Sequence, residues 1–237
     1  MRARWGALVA VALLAAACDS GGDGRPPGFG LLTPGSGGVP HQAAAGLPRD
    51  VGTVDLVSGA TTVDVRTAEL GAQRVRAVTP DGARVAPVLD VAGDTVRVHL
   101  VETGQAGPAA VTVLLDPRVR WQVRMSGGAV SQRLDLRGAR LSGVDLVAGA
   151  TRIEVGLPVP DRTVPVRMAG GASEFTVHVP AGVATGVRVG GGAASTDVDG
   201  VRRTGLAGGT VLTTATATDR YDVDATAGVS TLVLDRI

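Results

Sequence analysis

From Val51 onward the chain alternates apolar and polar residues with a period of two, in short runs separated by turns of small residues. Val63-Asp64-Val65, Val96-Arg97-Val98-His99-Leu100, Val119-Arg120-Trp121-Gln122-Val123-Arg124-Met125, Arg152-Ile153-Glu154-Val155 and Phe175-Thr176-Val177-His178-Val179 each carry apolar residues on one face. The other face carries Arg, Asp, Glu or His. Successive side chains of a strand point to opposite sides, so the pattern predicts strands with one buried face. No stretch of similar length has an apolar stripe at i, i+3, i+4 and i+7, and the expected domain is all-β.

The strands also repeat. VDLVSGATTVDV from Val54 returns almost letter for letter as VDLVAGATRIEV from Val144, with weaker copies starting at Ser126, Ala169, Gly190 and Thr226. The shared unit is a small or glycine pair, then Ala or Val, then Ser or Thr, then an alternating strand. Gly128, Gly149, Gly171 and Gly192 mark it at spacings of 21, 22 and 21 residues. This predicts a single-stranded β-solenoid-like stack of roughly 20-residue repeats over residues 50–237, in which neighbours stack edge to edge because no rung can bury its apolar face alone. The regular spacing favours it over an antiparallel sandwich of about ten strands. Gly and Ala at the corners permit close approach of stacked backbones. Unpaired edges remain only at the two ends. The final strand, Ser230 to Asp235, is expected to form one of them, with Asp235-Arg236 as a charged blunt.

Composition agrees with this picture. Aromatic residues make up 2% of the chain, and a core of small β-branched side chains suits strands.

The amino terminus is different in kind. Arg2 and Arg4 precede an uncharged apolar run from Ala7 to Ala17, as in a secretion signal. The run is too short to cross about 30 Å of hydrocarbon, which takes about twenty helical residues. It ends Leu13-Leu14-Ala15-Ala16-Ala17-Cys18, which resembles the bacterial lipobox, although Ala15 stands where that pattern more often has leucine. The resemblance implies a lipoprotein signal peptide over 1–17, cleavage between Ala17 and Cys18, and lipidation of Cys18. A thiolate is the nucleophile such a thioether needs. A lone cysteine has no disulfide partner, and two or more acyl chains anchor stably, at about 0.8 kcal/mol per buried methylene. The expected location is extracytoplasmic, held to the cell membrane through the lipid on Cys18. Residues 18–49, rich in Gly and Pro, read as a flexible linker reaching roughly 30 Å.

Charge excludes one class of partner. Every basic residue is Arg; removing Arg2 and Arg4 from the total of 23 leaves 21 against 22 acids, a net of −1. Nothing here favours nucleic acid or anionic lipid surfaces. The chain has no Asn, hence no N-glycosylation site.

Catalytic constellations are sparse. His41 falls in the linker, and His99 and His178 fall on outward positions of separate strands, so no metal-ligand spacing arises. No G-x-S-x-G is present. Asp197-Val198-Asp199-Gly200 is similar to the start of a calcium loop, but Ser195 and Leu206 occupy ligand positions of that pattern, and a turn between rungs explains it. Asp64, Asp135, Asp145 and Glu154 alternate with Arg124, Arg137, Arg152 and Arg167, as on a salt-bridged outer surface. No catalytic, cofactor-binding or metal-ligating residue is expected, and no cofactor.

The run from Trp121 to Ile237, with its GGA corner at Gly128, DLVAGATRIEVGLPVPDRTVPVRMAGGASEFTVHVP and the terminal DATAGVSTLVL, resembles the toast-rack β-solenoid domains. These occur in adhesin-like proteins and in the carboxy-terminal part of the cell-wall-stress regulator LiaF. The resemblance covers about half the chain and rests on structural motifs. LiaF-like proteins carry amino-terminal membrane helices, where this chain has a lipobox. The expected function is a lipid-anchored, non-catalytic cell-envelope binding or scaffold module, tied by the resemblance to envelope-stress sensing, with an envelope protein or cell-wall polymer as partner. The alternative is a surface adhesin or structural protein, and a polysaccharide-acting enzyme comes third.

Overall fold

The computed structural model describes residues 39–237. Ala17, Cys18, the signal segment and the first part of the linker lie outside the described residues.

Nineteen strands and no helix make up the described chain. The first are β1 (Gln42–Ala45), β2 (Val51–Leu56), β3 (Ala60–Thr67), β4 (Val75–Val78), β5 (Val85–Ala92), β6 (Thr95–Glu102) and β7 (Ala110–Leu115). A regular middle follows: β8 (Arg120–Met125), β9 (Ala129–Asp135), β10 (Arg140–Leu146), β11 (Ala150–Gly156), β12 (Thr163–Met168) and β13 (Ala172–Val179). The last are β14 (Ala184–Val189), β15 (Ala193–Val198), β16 (Val201–Leu206), β17 (Thr210–Thr213), β18 (Arg220–Ala225) and β19 (Val229–Arg236).

The strands form a ten-stranded and a nine-stranded sheet, and seven rungs each send one strand to both. Along the stack the rungs run β6/β7, β2/β3, β8/β9, β10/β11, β12/β13, β18/β19, β14/β15, with parallel pairing throughout. Two rungs are therefore out of chain order. The second lies outside the first, and the last is inserted between the fifth and the sixth.

That insertion corrects one expectation. β19 is bordered by β13 on one side and β15 on the other, so the carboxy-terminal strand is interior and forms no end of the stack. Arg236 is not a blunt but a clasp: its guanidinium donates to both carboxylate oxygens of Asp199 at 2.7 and 2.8 Å and to the Val183 carbonyl at 2.7 Å. The linker boundary moves as well. β1 takes residues assigned above to the linker and pairs antiparallel with β4, and His41 hydrogen-bonds the Thr79 hydroxyl at 2.8 Å.

The core is a set of straight columns along the stack. In the nine-stranded sheet Val96, Val54, Val123, Val144, Val166, Val223 and Val187 occupy one register position in consecutive rungs, all buried. Facing them, Val113, Val65, Leu134, Val155, Val177, Leu234 and Val198 do the same in the ten-stranded sheet. Buried valine side chains contribute about 1.5–3 kcal/mol each, and their branched Cβ fits the pleat. Large residues sit where a neighbour is small. Gly52 lies in register with the buried Trp121, and a Cβ there would stand 2.9 Å from the indole.

The repeated glycines form the corner joining the two sheets. Gly59, Gly128, Gly149, Gly171, Gly228 and Gly192 follow one another along the stack, and the residue after each of the first five donates its N–H to the next rung's glycine carbonyl. Ala129 N–H reaches Gly149 O at 3.3 Å and Ala150 N–H reaches Gly171 O at 3.2 Å. A Cβ on Gly149 would come within 2.8 Å of the Gly171 carbonyl oxygen, so close approach excludes a side chain.

The ends differ. At one, β1, β4 and β5 turn back antiparallel, and β1 and β5, though in different sheets, pack on each other and close the core. At the other, the β15–β16 hairpin turns on Asp199 and Gly200, both at positive φ, and β17 covers β14. Paired positive φ values at a two-residue Asp-Gly loop are the type I′ hairpin turn. The calcium-like sequence is thus a turn, but of an end hairpin rather than between rungs.

Candidate functional site

The outer face of the nine-stranded sheet carries a charge ladder. Asp90, Arg97, Asp55, Arg124, Asp145, Arg167, Asp224 and Arg188 stand in register on eight consecutive strands, with the sign alternating at every step. Arg124 sits between Asp55 at 3.7 Å and Asp145 at 3.9 Å, and Arg97 lies 3.5 Å from Asp90. Adjacent strands are about 4.8 Å apart, so each charge between the terminal Asp90 and Arg188 has opposite charges on both sides.

The ten-stranded sheet bears a second network. Arg152 pairs with Glu174 at 2.6 Å, Arg133 with Glu154 at 3.4 Å, and Arg137 donates twice to Asp135. The Arg137 hydrogen bonds hold the Asp135 carboxyl below its ordinary range. His178 joins three rungs, with Nδ1 2.6 Å from Asp235 and Nε2 3.6 Å from Glu154. Around it Arg133, Arg137, Gly156 and Ile237 line a hollow of about 140 Å³. Of the expected residues, Asp135, Glu154, Arg137 and His178 are thus brought together, while Asp64 pairs locally with Arg66 and His99 stands apart. Most of the carboxylates on the two faces pair with arginine or histidine; among the described residues Asp197 and Asp224 have no ion pair, and one oxygen of Asp224 is buried without a partner.

Two ion pairs brace the loops. Asp116 is fully enclosed and accepts from Arg118 Nε at 2.8 Å and from the Leu70 and Arg118 N–H groups, which keeps its carboxyl ionised far below the usual range. Arg120, itself buried, grips Asp161 through both guanidinium nitrogens at 2.8 and 2.5 Å and depresses that carboxyl in the same way.

An open cleft of about 800 Å³ lies where the glycine corner meets the connections before β5 and after β6. Gly59, Gly128 and Val130 form one wall, and Arg84, Leu100 and Glu102 the other. It exists because the β6/β7 rung replaces the tight Gly-Ala corner with the longer segment 103–109. The lining holds neither His nor Cys, and its chemistry is hydrogen bonding and one charge of each sign. Among the described residues no group of three His, Cys, Asp or Glu side chains is placed to hold a metal ion.

No family model and no curated protein matches the chain. A solved structure does: a "putative cell adhesion protein" from Clostridium sporogenes superposes with a TM-score of 0.52 at 12% identity, over 81% of this chain and 97% of that one. The two share a fold.

Sequence reasoning expected a salt-bridged outer surface that includes Arg124, Asp145 and Arg167, which the structure places in the ladder, but it missed the strand-by-strand register of the ladder and the cleft. The ladder was readable as a polar residue two positions after each core valine's predecessor, for example Asp55 beside Val54 and Arg124 beside Val123, once the rungs are aligned. The cleft had no such signal, since its rung lacks the repeated corner.

Proposed function

We propose that the protein is a lipid-anchored, non-catalytic module of the cell envelope that acts as an adhesive binding scaffold. The observation that supports it most is the likeness, over nearly the whole of the other chain, to a structure named for cell adhesion. Two further features agree with it. Both sheet faces are ladders of paired charges on a stiff stack, suited to presenting a fixed surface. The 800 Å³ cleft offers a partner hydrogen-bonding groups and one charge of each sign. In this reading Cys18 supplies the anchor, and β1, the first strand among the described residues, lies at the closed end of the stack. An envelope protein or a cell-wall polymer is the partner.

The test is surface display of the full chain on a non-aggregating bacterial host, beside Cys18→Ala. Cells bearing the wild-type chain should aggregate or attach, and those making Cys18→Ala should release the protein and remain dispersed. Displayed wild-type protein that leaves attachment and aggregation unchanged overturns the reading.

A further inference from the structure

The two ends of the stack are finished differently, and the difference points to an occupant. At the β1 end the edge strands of the two sheets meet and cover the core. At the far end β16 is exposed at every position but its last, and no strand pairs its outer edge. Between β16 and β17 the core opens into a cavity of about 240 Å³, floored by Val198, Val201 and Leu212. Thr196 also lines this cavity. It is 1% exposed, and its hydroxyl has no hydrogen-bond partner. A buried hydroxyl left without a partner normally costs free energy, so a native orphan calls for an explanation.

The mouth of the cavity carries one arginine, Arg203. It pairs in register with Thr196 on the inward column that elsewhere carries Val63, Gln132, Ile153, Phe175 and Leu232. Arg202 takes the opposite face, in register with Asp197, and Arg188 ends the charge ladder on the outer face of the other sheet. Among the described residues none of these three arginines has a carboxylate within the 4.0 Å of an ion pair. Asp199, the acid on the cavity wall, is already bound by Arg236.

We infer that the far end is a docking site for an extended, glutamate-bearing segment of a partner polypeptide, which adds a strand to β16 and inserts the glutamate side chain between the sheets. The added strand satisfies the unpaired edge, as in β-augmentation. The glutamate methylenes pack on Val198, Val201 and Leu212, and its carboxylate accepts from the Thr196 hydroxyl and the Arg203 guanidinium. A second copy of this chain fits poorly. Full-length antiparallel pairing of β16 with itself sets Arg203 against Thr204 and Arg202 against Gly205, so it brings Arg203 no carboxylate, and pairing with the β5 edge meets Pro87, which has no N–H to donate. The inference deepens the adhesive reading by naming the partner's chemistry, and rests on that reading for its biological setting alone.

The test uses the full-length chain in detergent and a blocked peptide of alternating threonine and valine with one central glutamate, beside the same peptide with lysine there. Fluorescence anisotropy should show the glutamate peptide binding at least about tenfold more tightly, with amide NMR shifts at Thr196, Val201, Arg203 and Leu212. Arg203→Glu should reverse the preference. Thr196→Val should weaken binding several-fold without lowering the melting temperature, since it removes a hydroxyl that has no partner in the free protein. Equal binding of both peptides, no binding by folded protein, or a concentration-dependent dimer abolished by Arg203→Glu each overturns the inference. Displayed cells separate the two claims: aggregation that survives Arg203→Glu sinks this site and leaves the adhesive reading standing, whereas peptide binding by a chain that aggregates no cells does the reverse.

Discussion

Arg167 on β12 and Asp224 on β18 face each other in register on adjacent strands, although 57 residues separate them in the chain. The chain's own next rung offers Arg188 instead, and stacking in chain order would have set Arg167 against it. Inserting the last rung gives Arg167–Asp224–Arg188. The same logic holds at the other end, where chain order would have placed Arg97 beside Arg124, and the exchange puts Asp55 between them. Both departures from chain order thus restore alternation. Every rung offers the same valine column and could stack on any other, so charge is what distinguishes the neighbours. Opposite charges across a strand pair contribute about 0.2–1 kcal/mol, and like charges directly opposite destabilise.

Asp224→Arg should accordingly cost more than Asp224→Ala. The arginine variant sets three like charges in a row, and we expect it to be less stable than the alanine variant by about 1 kcal/mol at low ionic strength. The gap should narrow at molar salt, where the Debye length is about 3 Å. Urea denaturation of both variants at two salt concentrations measures it. Equal stabilities at low salt would remove the ladder's role in setting rung order.

A second code for the same order lies at the corner. The residues preceding the glycine column, in stack order, are Ser58, Gly127, Ala148, Gly170, Ala227 and Gly191, so a Cβ is present and absent in turn. A Cβ on Gly170 would stand 2.2 Å from the Ala148 carbonyl carbon, and one on Gly191 would stand 2.4 Å from that of Ala227. Gly170→Ala should therefore destabilise by about 2–3 kcal/mol or force the corner apart. Ala148→Gly, which only adds backbone freedom, should cost about 0.5–1 kcal/mol. Thermal melts of the pair distinguish close contact from conformational entropy.

How much of this the amino-acid sequence reveals depends on which property is asked. The period-two runs and the GGA corner give the strands, the stack and six of seven rungs, because local burial and tight turns leave local marks. The β6/β7 rung escaped because residues 103–109 carry no glycine pair followed by alanine. β19 was misplaced because adjacency in the chain was taken for adjacency in space, while Arg188, Asp224, Gly191 and Ala227 already encoded the other arrangement. His178 read as a solvated strand histidine. Its partners Glu154 and Asp235 lie on flanking rungs, and only the register brings them within reach.

Asp116 should dominate the acid limb of stability. Its carboxyl is held well below the ordinary range by Arg118 and two backbone N–H groups, so its folded-state pKa is depressed. That stabilisation is fully present above the unfolded value of about 3.9 and is lost as pH falls through it toward the folded value. Asp116→Asn puts an amide donor where the enclosed carboxylate accepted hydrogen bonds and should cost about 1–3 kcal/mol at neutral pH. It should also flatten the decline below about pH 4. Chemical denaturation at neutral and acidic pH would show both effects, and an unchanged acid limb in the variant would reassign it to other carboxylates such as Asp161.

The inserted rung has a consequence for truncation that a sequential solenoid would not share. In a stack wound in chain order, removing the last rung shortens the structure by one layer and leaves the rest paired, because each repeat touches only its neighbours. Here removal of 214–237 takes away β18 and β19, which separate β12 from β14 and β13 from β15. The lost strands carry the buried Tyr221, Leu232 and Leu234, and Tyr221 ties its rung to the Pro158 carbonyl at 2.8 Å. Direct closure of the gap would press Arg167 on Arg188 and bring Gly170 and Gly191 together, breaking both alternations. We therefore expect the truncated chain to lose ordered structure in 184–213 and to be cut there by protease, while the rungs up to β13 persist with an exposed edge. Limited proteolysis with mass analysis, alongside far-ultraviolet circular dichroism, makes the comparison, and a protease-resistant 184–213 in the truncated chain would show that rung order is not fixed by these contacts.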